Sequence, residues 1–280
     1  MKKIILIFCC LYVLCHCRAV AQNDLFGAKS LALGRMASVE DGWSVFNNSS
    51  QMVFLPTQFV LQCGEYYGFI SSMEAAAGFM YSFALQSVGA GFSQNITGDF
   101  RRRCLLVAYA HKIGDLFSLS MQCRWISLSY SDSYYGVKNG FCFSLSCCYR
   151  PDEIWSWSVV LNNPACFHYQ FDPDLDRLPT SVRLGMRYTW TSTLRTYMEC
   201  GKSLEFPVCV AVGVEKDYSH WHLRGSVSYP EFGMAAGLGC GERNCMWDVA
   251  CQYNLDLGAT VFFSIQLVLE SEGRRKGNLL

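Results

Sequence analysis

Phe117-Ser118-Leu119-Ser120-Met121-Gln122-Cys123-Arg124-Trp125 is the stretch that decides the fold. Apolar side chains stand at every odd position and polar ones at every even position. A period of two belongs to an extended strand, whose side chains point alternately to opposite faces. Such a strand needs an apolar medium on one side and a polar one on the other.

The same alternation recurs. Phe141, Phe143, Leu145, Cys147 and Tyr149 alternate with Ser144, Ser146, Cys148 and Arg150. Val182, Leu184, Met186, Tyr188 and Trp190 alternate with Arg183, Gly185, Arg187 and Thr189. Ala259, Val261, Phe263, Ile265 and Leu267 alternate with Thr260, Ser264 and Gln266. Each run is about ten residues, the length with which a tilted strand crosses a bilayer.

Composition says which medium is apolar. Hydrophobic residues make up 51% of the chain and mean hydropathy is +0.14. Yet beyond Leu14 no run approaches the roughly 20 apolar residues of a spanning helix. Only a closed β-barrel then satisfies every backbone polar group in lipid. An aromatic share of 15% suits the girdles of such barrels. The competing reading is a soluble β-sandwich with an apolar interior.

The pattern predicts an all-β fold, a transmembrane antiparallel β-barrel of about fourteen strands, the even number that bacterial barrels carry. The strands are expected at 57–67, 73–84, 87–93, 103–111, 116–129, 139–150, 154–163, 181–190, 194–202, 206–216, 220–229, 232–239, 244–253 and 258–268. With the N-terminus in the periplasm, the periplasmic turns fall at 85–86, 112–115, 151–153, 191–193, 217–219 and 241–243. They are short and rich in Gly, Asp, Pro, Ser and Thr. The opposite connections include 94–102, 130–138 and 164–180, which are longer. That asymmetry belongs to outer-membrane barrels, and a soluble sandwich has no cause to show it.

The ends divide the chain. Lys2 and Lys3, the apolar run Ile4 to Leu14 and the small-x-small site Ala19-Val20-Ala21 read as a signal peptide over 1–21. Three of the 23 basic residues lie there, leaving 20 against 23 acidic ones. That excess of acid argues against a nucleic-acid partner. Residues 22–56 do not alternate and are expected to form a plug in or under the lumen. The barrel runs over 57–269, and a polar tail over 270–280.

Strand charges are the candidate site residues. If the apolar sets face lipid, then Arg124, Arg183, Arg187, Arg195, Glu199, Glu215, His222, Arg224 and Asp248 face the lumen. An Arg on the lipid face would cost roughly 2–4 kcal/mol at midplane. These groups form either an ion-pair network that fills the interior or an anion-attracting path, since five arginines stand against three acids.

Of 16 cysteines, twelve follow the leader. Cys123, Cys147, Cys200 and Cys251 lie on apolar faces and read as free thiols acting as small hydrophobes. Cys240 and Cys245 are candidates to face one another across a hairpin. No C-x-x-C pair supports a metal site, and no Gly-x-Ser-x-Gly elbow supports a hydrolase. His220-x-His222 would place both rings on one strand face, without further ligands. No cofactor and no enzymatic activity are expected.

Phe26-Gly27-Ala28-Lys29-Ser30-Leu31-Ala32-Leu33-Gly34, then Val39 to Asp41, Trp43 to Phe46 and Asn47-Asn48, resembles the opening of FadL-like outer-membrane barrels of the PorV and PorQ kind. In that family a GARSLALGGA opening leads to a FNNPAGLA segment that enters the barrel. Leu178-Pro179, Trp247-Asp248-Val249 to Tyr253, and Leu257-Gly258 with the final strand to Leu269 are similar too. The chain departs from the family at Arg35, which replaces the second glycine, and at Ser49-Ser50-Gln51, which replaces Pro-Ala-Gly. It also ends in a polar tail instead of an aromatic residue. The resemblance implies that Gly27, Gly34, Trp43, Asn47 and Asn48 form the plug motif.

The expected function is that of an outer-membrane barrel for passage of hydrophobic or small solutes. The resemblance adds an alternative, an accessory barrel of type IX secretion that binds secreted or secretion-machinery proteins. A soluble periplasmic or surface β-rich protein is the third reading. The partners expected are outer-membrane lipid and hydrophobic small molecules or secretion-machinery proteins.

Overall fold

The structure is a computed structural model. It describes residues 25–68, 72–131, 136–167, 178, 180–204, 206–230, 233–242, 244–255 and 258–269. The expected leader, residues 22–24 of the expected plug, Pro179, Leu257 and the polar tail lie outside the described residues.

Fourteen strands form one closed antiparallel barrel. They are β1 (Gln58–Tyr66), β2 (Ser72–Phe83), β3 (Gln86–Thr97), β4 (Phe100–Ile113), β5 (Phe117–Tyr130), β6 (Val137–Tyr149) and β7 (Trp155–Asn162). The rest are β8 (Ser181–Thr191), β9 (Leu194–Ser203), β10 (Cys209–Tyr218), β11 (Trp221–Tyr229), β12 (Gly233–Glu242), β13 (Cys245–Asn254) and β14 (Gly258–Val268). Each strand pairs with its sequence neighbours. The barrel closes where β1 meets β14, from Gln58 opposite Val268 to Glu65 opposite Val261.

The expected strands match one for one, with ends shifted by a few residues. The largest correction concerns 94–102, expected as a long loop. There β3 and β4 run on as a paired ladder to Thr97 opposite Phe100, and only Gly98 and Asp99 turn. Polar residues on both faces of this segment hide the period of two, while Thr97 and Ser72 still join their hydroxyls across strands at 2.6 Å.

Alternation of burial separates two surfaces. Outward positions are apolar and exposed, as with Leu105, Val107 and Tyr109 on β4 and Leu119 and Met121 on β5. Aromatic side chains gather outward at the end with the short turns. Tyr81 stacks on Phe83, Phe117 on Tyr149 and Trp155 on Trp157, and Tyr188 meets Trp190 edge-on. Inward positions are small and polar, with Ser118, Ser120, Ser144, Ser146, Ser156, Ser158 and Ser264 all buried. Such a wall has little core of its own; the largest buried apolar side chains come mostly from residues 26–53.

All twelve cysteines of the described residues are free. Cys240 stands opposite Trp247 and Cys245 opposite Glu242, so the two do not face one another as expected. His220 sits in the turn before β11, 3.9 Å from Glu242, whereas His222 lies on the strand beside Asp217 at 2.6 Å. The turn interrupts the strand that would have put both on one face.

Candidate functional site

The site is the filled lumen. Residues 25–55 form α1 (Ala28–Ala32), α2 (Ser44–Asn47) and a 3-10 turn at Ser49–Phe54. These pieces are too short to hold themselves in water. Tertiary contacts hold them, and the contacts reach every strand.

Strand side chains take up the plug's backbone groups. Gly27 N donates to Gln62 on β1 at 2.5 Å, and Gly42 N to Gln266 on β14 at 3.0 Å. Ser38 N donates to Glu199 on β9 at 2.9 Å. Gln122 Nε2 and Arg124 Nη2 on β5 donate at 2.6 Å to the carbonyls of Val45 and Phe46. Ser226 on β11 donates to Ala32 O, and Ser50 N donates to Ser146 on β6. Irregular backbone at membrane depth is tolerated only where protein groups satisfy it in this way.

Charges complete the ring. Lys29 pairs with Glu215 on β10 at 3.1 Å. Glu40 takes Arg187 on β8, Arg150 beyond β6 at 2.5 Å and the Ser156 hydroxyl on β7 at 2.9 Å. Arg35 donates to Gln252 on β13 at 2.7 Å. Ser82 on β2 donates to Met52 O at 3.1 Å, and β2 and the remaining strands, β3, β4 and β12, meet the plug through apolar contact. Phe26, Trp43, Phe46 and Met52 cluster with Met80, Leu106 and Ala108, and Gly237 lies under the Ala32 methyl. A segment that touches the inner face of all fourteen strands of a closed barrel lies inside it.

Small residues in the wall make the fit. A Cβ on Gly91 would stand 2.4 Å from the Phe46 ring, and one on Gly89 2.5 Å from Val45. Within the plug, Gly27 has φ +98, and a Cβ there would meet Trp43 at 2.6 Å. Asn47 locks that corner by accepting from Phe26 N at 2.8 Å and donating to Phe26 O at 2.7 Å. Gly34 has φ +85 and lies against Ala211. Asn48 accepts from the Ser50 hydroxyl at 2.6 Å. Arg35 keeps a left-handed φ of 57, the conformation a glycine would take. Its guanidinium offsets the strain by its bond to Gln252 and by lying 5.1 Å over the Tyr66 ring.

The sequence-selected strand charges all fall on inward faces, and they are paired. Arg183 meets Glu199 at 2.9 Å, and Arg195 meets Glu215 at 3.0 Å and Asp217 at 2.8 Å. Arg224 joins Glu215 at 2.9 Å and also Asp248. Glu215 accepts from Lys29, Arg195, Arg224 and Tyr197. The excess of arginine is thus answered by carbonyls and by Glu40, a plug residue that strand periodicity does not reveal. An open anion-attracting path does not match this arrangement. Glu215, Asp217 and His222 do bring three ligand-type atoms within 4.8 Å of one another. Arginine, lysine, tyrosine and imidazole donors already occupy those oxygens, so the cluster suits an ion-pair network better than a metal.

The plug also carries strain. Asp41 accepts from Trp43 N at 2.9 Å through Oδ1, but its Oδ2 is buried without a protein partner. Burial pushes its carboxyl up to about 7, with Lys29 opposing and Asp248 adding to the rise. Ser38 Oγ, Trp43 Nε1 and Asn48 Nδ2 are also buried and unpartnered. Among the described residues, two small gaps lie beside the plug, toward the loop end. One of about 50 Å³ lies among Arg124, Asn162, Asn163, Leu178 and Arg183, and one of about 20 Å³ among Phe26, Phe46, Glu74 and Arg102. These hold a water or a few, not an organic solute.

No family model matches this chain, and no curated protein matches it by sequence. Solved structures do match in fold. The CymD monoaromatic hydrocarbon channel superposes with a TM-score of 0.68 at 9% identity, over 90% of this chain and 100% of that one. The Pseudomonas putida toluene transporter TodX gives 0.63 at 11% identity, over 86% and 97%. A Pseudomonas aeruginosa FadL homologue gives 0.61 at 10% identity, over 87% and 98%. At these identities the likeness is one of fold: this chain shares the β-barrel architecture of those proteins.

Proposed function

We propose that this chain is a FadL-like outer-membrane barrel that admits hydrophobic or small solutes when its plug yields. The observation that carries the reading is the plug itself. It fills the lumen and touches every strand, yet it keeps four buried polar atoms unpartnered among the described residues. A buried polar atom without a protein partner gains one when the plug shifts and admits water. The apolar exterior with its aromatic girdle supports the membrane location. The likeness in fold to hydrocarbon channels supports the solute class. The reading is non-enzymatic, because the inward carboxylates serve as ion-pair partners.

Uptake across intact cells tests this. A strain lacking the protein is compared with the complemented strain for the initial rate of toluene uptake from the medium. Faster uptake on complementation supports passage; equal rates contradict it. The opening from Phe26 to Asn48 supports the PorV and PorQ kind as the finer type, and with it a secretion role. Export of the strain's surface proteins, followed in the same pair, separates that role from solute passage.

A further inference from the structure

The outer surface of β1 to β6 can be read row by row from the pairing. One outward row is Leu61, Ala77, Phe92, Leu105, Trp125 and Phe141. The row toward the short turns is Phe59, Phe79, Ala90, Val107 and Cys123. Ala77 and Ala90 are small where their neighbours are large, and Gly78 and Gly91 lie beside them in the wall. The result is an open apolar groove of about 590 Å³ on the outside of the barrel, edged by Phe79, Phe92, Trp125 and Phe141. That volume lies within the range of about 300–1,000 Å³ that holds a drug-sized ligand.

The next outward row toward the loop end changes character. It holds Gln94, Arg103, Asn139 and the buried Ser127, and above it stand Arg101 and Ser129 among the exposed apolar side chains of Met73, Ile96 and Val137. Arg101 and Arg103 are exposed, and neither has an ion-pair or hydrogen-bond partner among the described residues. Glu74 on β2 faces the lumen, and on the outward side the described acids in reach of this row are Asp99 in the turn above and Glu65 on β1, three strands away.

Depth fits the change. From Ile113 at the short-turn end to Arg103 is ten residues of β4. At about 3.3 Å per residue and a tilt of about 40°, that is about 25 Å along the barrel axis, the height of the lipid-facing band. Two guanidiniums without a partner among the described residues therefore stand where lipid phosphates lie, directly over an apolar groove on the same strand. Guanidinium is the group best shaped for phosphate.

We propose that this face binds one phosphate-bearing membrane lipid, with an acyl chain in the groove and its phosphate on Arg103 and Arg101. The inference rests on the outer-membrane reading. The lipid is a fixed ligand of the wall, separate from the solute of the lumen, and it would steady β2 to β5, the strands against which Phe46 and Met52 pack.

The full chain, purified from membranes in a mild detergent, is titrated with phosphatidylglycerol, with diacylglycerol of the same chains and with inorganic phosphate. Retention is read by native mass spectrometry. One phosphatidylglycerol per barrel is expected, retained about tenfold over diacylglycerol, with no retention of phosphate alone. Arg103→Gln and Ala90→Leu should each lower that retention about tenfold while the barrel still shifts in apparent size on heating. Equal retention of both lipids, retention of phosphate alone, or wild-type retention by heat-modifiable Arg103→Gln would overturn the proposal. Absence of any heat-modifiable barrel from the membrane fraction would overturn the membrane reading first, so the two failures are distinguishable.

Discussion

Arg187 of β8 donates to Glu40 of the plug, 147 residues away in the chain. Glu40 also takes Arg150 and Ser156. One carboxylate thus ties the plug to the wall between β6 and β8, at the end with the short turns. Glu40→Gln should loosen the plug while leaving the barrel intact, because the three partners sit on the wall. Two charge-assisted contacts weaken, at about 1–3 kcal/mol together. Single-channel recordings in a planar bilayer check this: more frequent openings than wild type are expected, with an unchanged heat-modifiable band. Identical recordings would mean that Glu40 does not hold the plug.

Leu184 and Arg187 share β8 but face opposite ways; Leu184 is 55% exposed outward, and Arg187 points to Glu40. Leu184→Arg should impair assembly, since a guanidinium in lipid costs roughly 2–4 kcal/mol near the bilayer centre. Arg187→Leu should still assemble, with the plug loosened. The amount of heat-modifiable barrel in the same cells measures both. Equal yields, or the reverse order, would show that the faces are misassigned.

Much of the wall was legible because lipid and lumen impose a period of two on every strand. The signal failed at 94–102, where Gln94, Asn95, Arg101 and Arg102 are polar on both faces. It failed again around Pro207, where β10 begins at Cys209 rather than at 206. The inward charges were legible for the same reason as the strands. Their partners were not: Glu40, Lys29 and Arg35 come from a segment without periodicity and meet strands more than a hundred residues away. Gly89 and Gly91 carry no signal in the alternation, yet they are the space into which Val45 and Phe46 fit.

Gly91→Val should disturb the plug rather than the exterior. The added carbons would meet the Phe46 ring at or inside 2.4 Å, the distance of the Cβ alone. Overpacking of this kind costs about 1–3 kcal/mol. Limited proteolysis of the purified barrel should cut within residues 28–54 faster than in wild type. An unchanged cutting rate would mean that the β3 face does not seat α2.

The plug's seating should depend on pH through Asp41. Its carboxyl is pushed up to about 7 by burial, from an ordinary value of 3.8. The seated plug therefore binds the proton more tightly than a released one. The contribution of neutral Asp41 is fully present below about pH 4 and is lost as pH rises through about 7. Proteolysis within 28–54, with a protease active across the range, should be slower at pH 5 than at pH 8. Asp41→Asn, which stays neutral, should flatten that difference. A wild-type profile in Asp41→Asn would assign the dependence to another group.

The central claim is a closed, plugged barrel in the outer membrane, and fractionation with a heat-shift assay tests it most directly. Cells expressing the full chain are separated into soluble periplasm, inner membrane and outer membrane, and each fraction is run in detergent with and without boiling. The account predicts a band in the outer-membrane fraction alone that migrates as a compact species unheated and as an unfolded chain when boiled. Recovery from the soluble periplasm without detergent, with no shift on heating, would contradict it.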